Sequence, residues 1–158
     1  MVGAARYAYF ALAWAFLAGV VLQVFFIGLG LFAGSEYLEV HAYVGWTILH
    51  LSPLIILVAA PLARAGRTRT LQAAALAVTV WFVPILAVLR ADVPVVAALH
   101  PVGALLAFWL AIVVARGATS LVGSTDTGAS PTRGELAVVA VVVVILVLLS
   151  FSGSPTEA

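Results

Sequence analysis

Four long apolar stretches, separated by short polar breaks, constrain this chain more than any other feature. The first covers residues 7–33 and is interrupted only by Gln23. The second covers residues 37–63, ending around Pro61 and the polar run Arg64, Gly66, Arg67, Thr68, Arg69. A third covers residues 71–89, with Pro84 as a predicted kink, and a fourth begins after Asp92 and continues to about residue 115. About 20 apolar residues are enough to cross the hydrocarbon core of a bilayer. In that medium every backbone N–H and C=O must be satisfied inside the segment, so each stretch is expected to be an α-helix. The sequence therefore predicts an all-α fold: an integral membrane four-helix up-down bundle over residues 1–116.

Composition agrees with this reading. The chain is 65% hydrophobic and 8% charged, against about 25% charged residues in a soluble domain. A formal net charge of +1 gives nucleic acid no reason to bind, and the expected surroundings are a lipid bilayer. The chain has no Cys, which excludes disulfides and thiolate metal sites. It also has no Lys, which excludes a Schiff-base lysine. Arg6 ahead of the first stretch resembles the start of a signal peptide, but an h-region is only ~7–15 residues long. The segment reads as a retained helix.

Ser35 and Asp92 are the expected N-caps of the second and fourth helices, with Pro94 in the first turn of the fourth. Residues 117–134 are rich in Ser, Thr and Gly and show no periodicity, so a flexible linker is expected there. Residues 135–158 form a fifth hydrophobic segment with a short tail; its apolar run of residues 136–149 is slightly short for a span. A fifth spanning helix is expected, with an interfacial segment as the alternative. Six of the seven arginines (Arg6, Arg64, Arg67, Arg69, Arg116 and Arg133) fall in the N-terminal segment, the second loop or the fourth. The positive-inside rule then makes that side cytoplasmic, and five spans would leave the C-terminus outside the cell membrane.

Ionisable groups within spans are costly and draw attention to function. Here only His41, His50 and His100 qualify. His41 lies six residues past Ser35, and His100 six past Pro94. At 1.5 Å per residue both sit ~9 Å below the outer ends of helices that run the same way. The second and fourth helices of an up-down bundle are diagonal partners, so two histidines at one depth suit the axial ligands of a haem iron. Gly45 shares the face of His41 and Gly103 that of His100; small residues there would leave room for a flat macrocycle. Small-residue helix contacts, common in membrane bundles, are the alternative. Nine residues past His41, an ideal helix turns about 900°, placing His50 on the opposite face and ~13 Å deeper. A structural role, with Gln23 as hydrogen-bond partner and Trp46 as packing neighbour, is expected for it; the alternative makes it the ligand in place of His41. Arg90, alone among bases on the outer side, could pair a haem propionate or else Asp92, Glu36 or Glu39.

At these residues a resemblance enters. The run from Gln23 through Gly28 and Gly30 to Phe32, the His41-x-x-x-Gly45 helix and the late Ala98-Leu99-His100-Pro101 segment resemble a family of small prokaryotic four-helix integral membrane proteins of unknown function. The resemblance covers about residues 5–116. The arrangement is also similar to one half of haem A synthase, whose helices offer histidines to haem at the outer side. That family carries a glutamate three residues before a ligand histidine and an arginine after it; here Leu38 and Ala42 hold those positions and Glu39 is displaced by one. The haem-bundle architecture is therefore implied and the synthase's oxygenation chemistry is not.

The leading expectation is a b-type cytochrome-like protein with one haem b between His41 and His100, used for electron transfer with a redox partner membrane protein or for redox sensing. An electron carrier or binding protein, rather than an enzyme, follows from two ligands that leave no open iron position. The alternatives are a non-catalytic membrane subunit or assembly factor that binds a partner protein, and a haem-modifying enzyme. A metal site formed by the three histidines ranks last.

Overall fold

The computed structural model describes residues 2–126 and 128–152, with no side-chain description for Phe151 and Ser152. The expected short tail, residues 153–158, lies outside the described residues. Every element is helical: α1 (Val2–Phe32), α2 (Glu36–Val44), a π-helical turn (Gly45–Leu49), α3 (Ser52–Leu62), α4 (Arg67–Val88), α5 (Pro94–Ala97), α6 (His100–Val122) and α7 (Arg133–Ser152). Among the described residues they make five helical segments long and apolar enough to cross a membrane: α1, then α2 through α3, then α4, then α5 through α6, then α7.

Around the bundle, α1 packs on α2 and α3, α3 packs on α4, α4 packs on α6, and α6 returns to α1. The second and fourth segments are therefore diagonal, as an up-down bundle requires. α7 stands outside this ring against α4 and α3. It is anchored by buried Val139 and Leu146 and by a hydrogen bond from Trp81 Nε1 to Ser150 Oγ (3.1 Å).

The interior is dominated by alanine. Ala13 of α1, Ala60 of α3, Ala73 and Ala77 of α4, and Ala111, Ala115 and Ala118 of α6 are all buried. Between helices in lipid there is no hydrophobic drive, because lipid tails are as apolar as leucine. Close backbone approach and van der Waals packing replace it, and small side chains permit both. Tyr9, Ile56, Leu57 and Leu76 fill the space between the helices, while many other large apolar side chains point outward: Leu31, Phe32, Val95, Leu105 and Leu148 are exposed.

Several expected boundaries move. α6 does not stop at Arg116-Gly117 but continues to Val122. Buried Ala118 and Leu121 keep the helix on the core, and the hydroxyls of Thr119 and Ser120 bond back to Ala115 O and Gly117 O. The linker is thus shorter than composition suggested. α7 begins at Arg133, preceded by a capping box. Thr132 Oγ1 accepts from Glu135 N (3.2 Å), and Thr132 N donates to Glu135 Oε2 (2.7 Å). The two expected side-chain caps do not form: neither Ser35 at α2 nor the residue before α5, which is Val93 and not Asp92, makes a side-chain cap bond.

Candidate functional site

Prolines shape both histidine-bearing segments. Pro53 has no N–H to offer Leu49 O, and the hydroxyl of Ser52 donates to that carbonyl in its place (3.1 Å). Just before it the helix widens into the π turn, closed by His50 N donating to Gly45 O (2.9 Å). Pro101 likewise has no N–H for Ala97 O. The fourth segment pauses there, with α5 ending at Ala97 and α6 restarting at His100.

These local features bring all three histidines to one cavity of about 590 Å³ between the helices. Its wall is largely apolar, including Phe16, Ile27, Leu38, Val80 and Ala104, and Arg90 is among the lining residues. His41 and His100 face each other across the diagonal, with ring centroids 6.3 Å apart and planes at 77°. His41 Nδ1 lies 3.3 Å from Gln23 O of α1, and His100 Nδ1 lies 2.8 Å from Val83 O of α4. A carbonyl can only accept, so each Nδ1 carries the proton in the neutral ring and each Nε2 is left with its lone pair. Neither Nε2 has a partner among the described residues. All four ring segments of the bundle thus contribute: two present an imidazole and two fix its orientation.

Gln23 does not serve His50, as the sequence had suggested. Its Nε2 donates to His41 O (3.1 Å), so side chain and backbone of Gln23 together clamp one residue of α2. The opposite-face expectation for His50 is also overturned. An ideal helix would put it half a turn from His41, but a π turn adds a residue and takes away about 100° of rotation. His50 therefore lines the same cavity. It is 7% exposed, its Nδ1 is buried without a partner, and its ring packs 5.0 Å from Trp46 and 5.9 Å from Trp81. The expected packing on Trp46 is present.

The two glycines divide. Gly45 lines the cavity, and a Cβ there would come within 3.0 Å of Gln23 Nε2. Gly103 does not line it: a Cβ on Gly103 would meet Val83 Cγ2 at 3.1 Å. Its smallness serves the close contact of α6 with α4, and Ala104 and Ala107 are the small α6 residues that line the cavity beside His100. Arg90 is exposed, and its guanidinium has no hydrogen bond or ion pair among the described residues, so the expected pairing with Asp92, Glu36 or Glu39 is not made. No group of three or more His, Cys, Asp or Glu suited to a metal ion occurs among the described residues. A tri-histidine metal centre has no support.

No known protein family, curated protein or solved structure matches the chain.

Proposed function

We propose that the cavity holds one haem b with His41 and His100 as its axial ligands, making the protein a small membrane cytochrome for electron transfer or redox sensing. The observation that carries this reading is the spacing and anchoring of the two rings. Two imidazoles sharing one metal at ~2.0–2.1 Å per bond, each ring nitrogen ~1.1 Å from its ring centre, hold their centroids ~6.3 Å apart. The separation here is 6.3 Å. Metal-bound histidines characteristically donate the other ring N–H to a backbone carbonyl or carboxylate, and both rings do so here. The apolar wall suits a porphyrin face, and the unpaired Arg90 suits a propionate.

A haem bound this way supplies a one-electron couple. The protein's own part would be to fix both imidazoles in one tautomer through Gln23 O and Val83 O, and ligation by both would disfavour oxygen activation. Orientation belongs to the same proposal. With the arginine-rich end cytoplasmic, the histidines lie toward the outer leaflet and an electron partner would approach there.

The test is titration of apoprotein with haemin in detergent. One equivalent should bind and give a low-spin spectrum that carbon monoxide leaves unchanged after reduction. A high-spin, carbon-monoxide-reactive product would remove the two-ligand assignment. No binding, in a protein that copurifies with a stable partner, would favour the membrane-subunit reading.

A further inference from the structure

A second cavity, of about 290 Å³, lies at the opposite end of the bundle from the histidines, about 25 Å away along α1. Arg6 of α1, Arg64 in the turn after α3 and Arg69 of α4 all line it. Arg6 is only 7% exposed. Its donors reach Ala63 O (3.4 Å) and Ser124 O (3.1 Å), while Arg64 reaches Gly128 O (3.4 Å) and Arg69 reaches Ala65 O and Ser120 Oγ. These partners are all neutral. No ion pair neutralises any of the three among the described residues. Asp126 also lines the cavity, but its Oδ1 accepts from Gly128 N and neither of its oxygens comes within ion-pair distance of a guanidinium.

Three converging positive charges, one of them buried, are costly without a counter-charge. The N-terminus of the 22-residue helix α4 opens at the same place. Its N-cap is Gly66, which also lines the cavity and has no side chain to occupy the free N–H groups. Guanidiniums with spare donors and an open helix N-terminus both favour a phosphate group. Among the described residues no acidic side chain pairs these arginines from within, and the cavity leaves space where an anion would do so.

We infer that Arg6, Arg64 and Arg69 form a binding site for a phosphate group, supplied either by an anionic phospholipid headgroup or by a free phosphate. The site is separate from the histidine cavity and does not rest on the haem reading.

The experiment uses the full chain in nanodiscs of phosphatidylcholine alone. One arm adds increasing phosphatidylglycerol and the other adds inorganic phosphate at constant ionic strength, with thermal unfolding as readout, since a ligand that binds only the folded state raises the midpoint. A saturable rise is expected in at least one arm. A rise with phosphatidylglycerol alone assigns the site to a lipid headgroup, and a rise with phosphate assigns it to a free anion. Arg64→Gln and Arg69→Gln should each abolish the rise, while Arg116→Gln, exposed at the same end, should keep it. Two separate variants guard against one that misfolds. No rise in either arm, or an equal rise in all three variants, would overturn the inference.

Discussion

His41 and His100 are each held by a helix other than their own. The Nδ1 of His41 is turned to Gln23 O of α1, that of His100 to Val83 O of α4, and the two ring centroids stand 6.3 Å apart, with neither Nε2 partnered among the described residues. An imidazole inside a membrane segment normally finds a partner for every polar atom, because an unpaired group there costs about 1–3 kcal/mol. Here one nitrogen of each ring is satisfied in the manner that fixes the tautomer, the other has no partner among the described residues, and both rings line the cavity. That division separates these two histidines from His50, whose buried Nδ1 has no partner among the described residues.

His50 provides the sharpest internal contrast. Replacing a buried polar group that has an unpaired atom by an apolar one of similar size is neutral or stabilising. His50→Leu should therefore leave the unfolding free energy unchanged or raise it by up to about 2 kcal/mol, and should retain haem. Denaturant titration and haem content of the same preparation check both parts. Loss of haem in His50→Leu with retention in His41→Ala would make His50 the ligand.

Gly103 sits where α6 approaches α4. A Cβ would lie 3.1 Å from Val83 Cγ2 and 3.7 Å from Leu86 Cδ1, so Gly103→Ala pushes on Val83, and an overpacking cost of about 1–3 kcal/mol should outweigh the ~1 kcal/mol that alanine gains in a helix. Val83 also supplies the carbonyl that orients His100, so haem affinity should fall in parallel. Gly28 has nothing within 4 Å of its missing Cβ, and Gly28→Ala should not destabilise. Equal stability of the two variants in an unfolding titration would contradict this assignment.

Thr132 and Glu135 cap α7 reciprocally. Thr132→Ala should cost about 1 kcal/mol at that terminus and speed proteolysis of the segment joining α6 to α7. Thr132→Ser and Glu135→Gln, which preserve the box, should cleave at the parent rate. Cleavage as fast in Thr132→Ser as in Thr132→Ala would rule out the cap as the cause.

Much of the bundle was legible in the sequence because length and hydropathy alone decide whether a segment can cross a bilayer. The depth match of His41 and His100 followed from counting residues beyond each helix start, and the diagonal relation from up-down connectivity. Counting failed wherever the helix departed from its ideal period. The π turn before Pro53 rotated His50 into the cavity, and Pro101 divided the fourth segment just ahead of His100. Both prolines were visible, and a missing N–H four residues after a carbonyl is a signal for such a departure. The Thr132–Glu135 box was visible too, but the Ser- and Gly-rich composition around it obscured the start of α7. Gln23 stands out in the sequence as a polar residue in an apolar helix, but its partner is the backbone and ring of His41, a pairing across two helices that no local pattern encodes. The gathering of Arg6, Arg64 and Arg69 needed three elements to meet, which no local pattern encodes.

The central claim is that His41 and His100 together ligate one haem, and a visible absorption spectrum of the purified protein tests it most directly. Wild type should show a Soret band and sharp, split α and β bands on reduction. His41→Ala and His100→Ala should each lose these bands while keeping the helical circular dichroism of the parent. A wild-type protein, produced with ample haem, that shows no visible absorption would contradict the account.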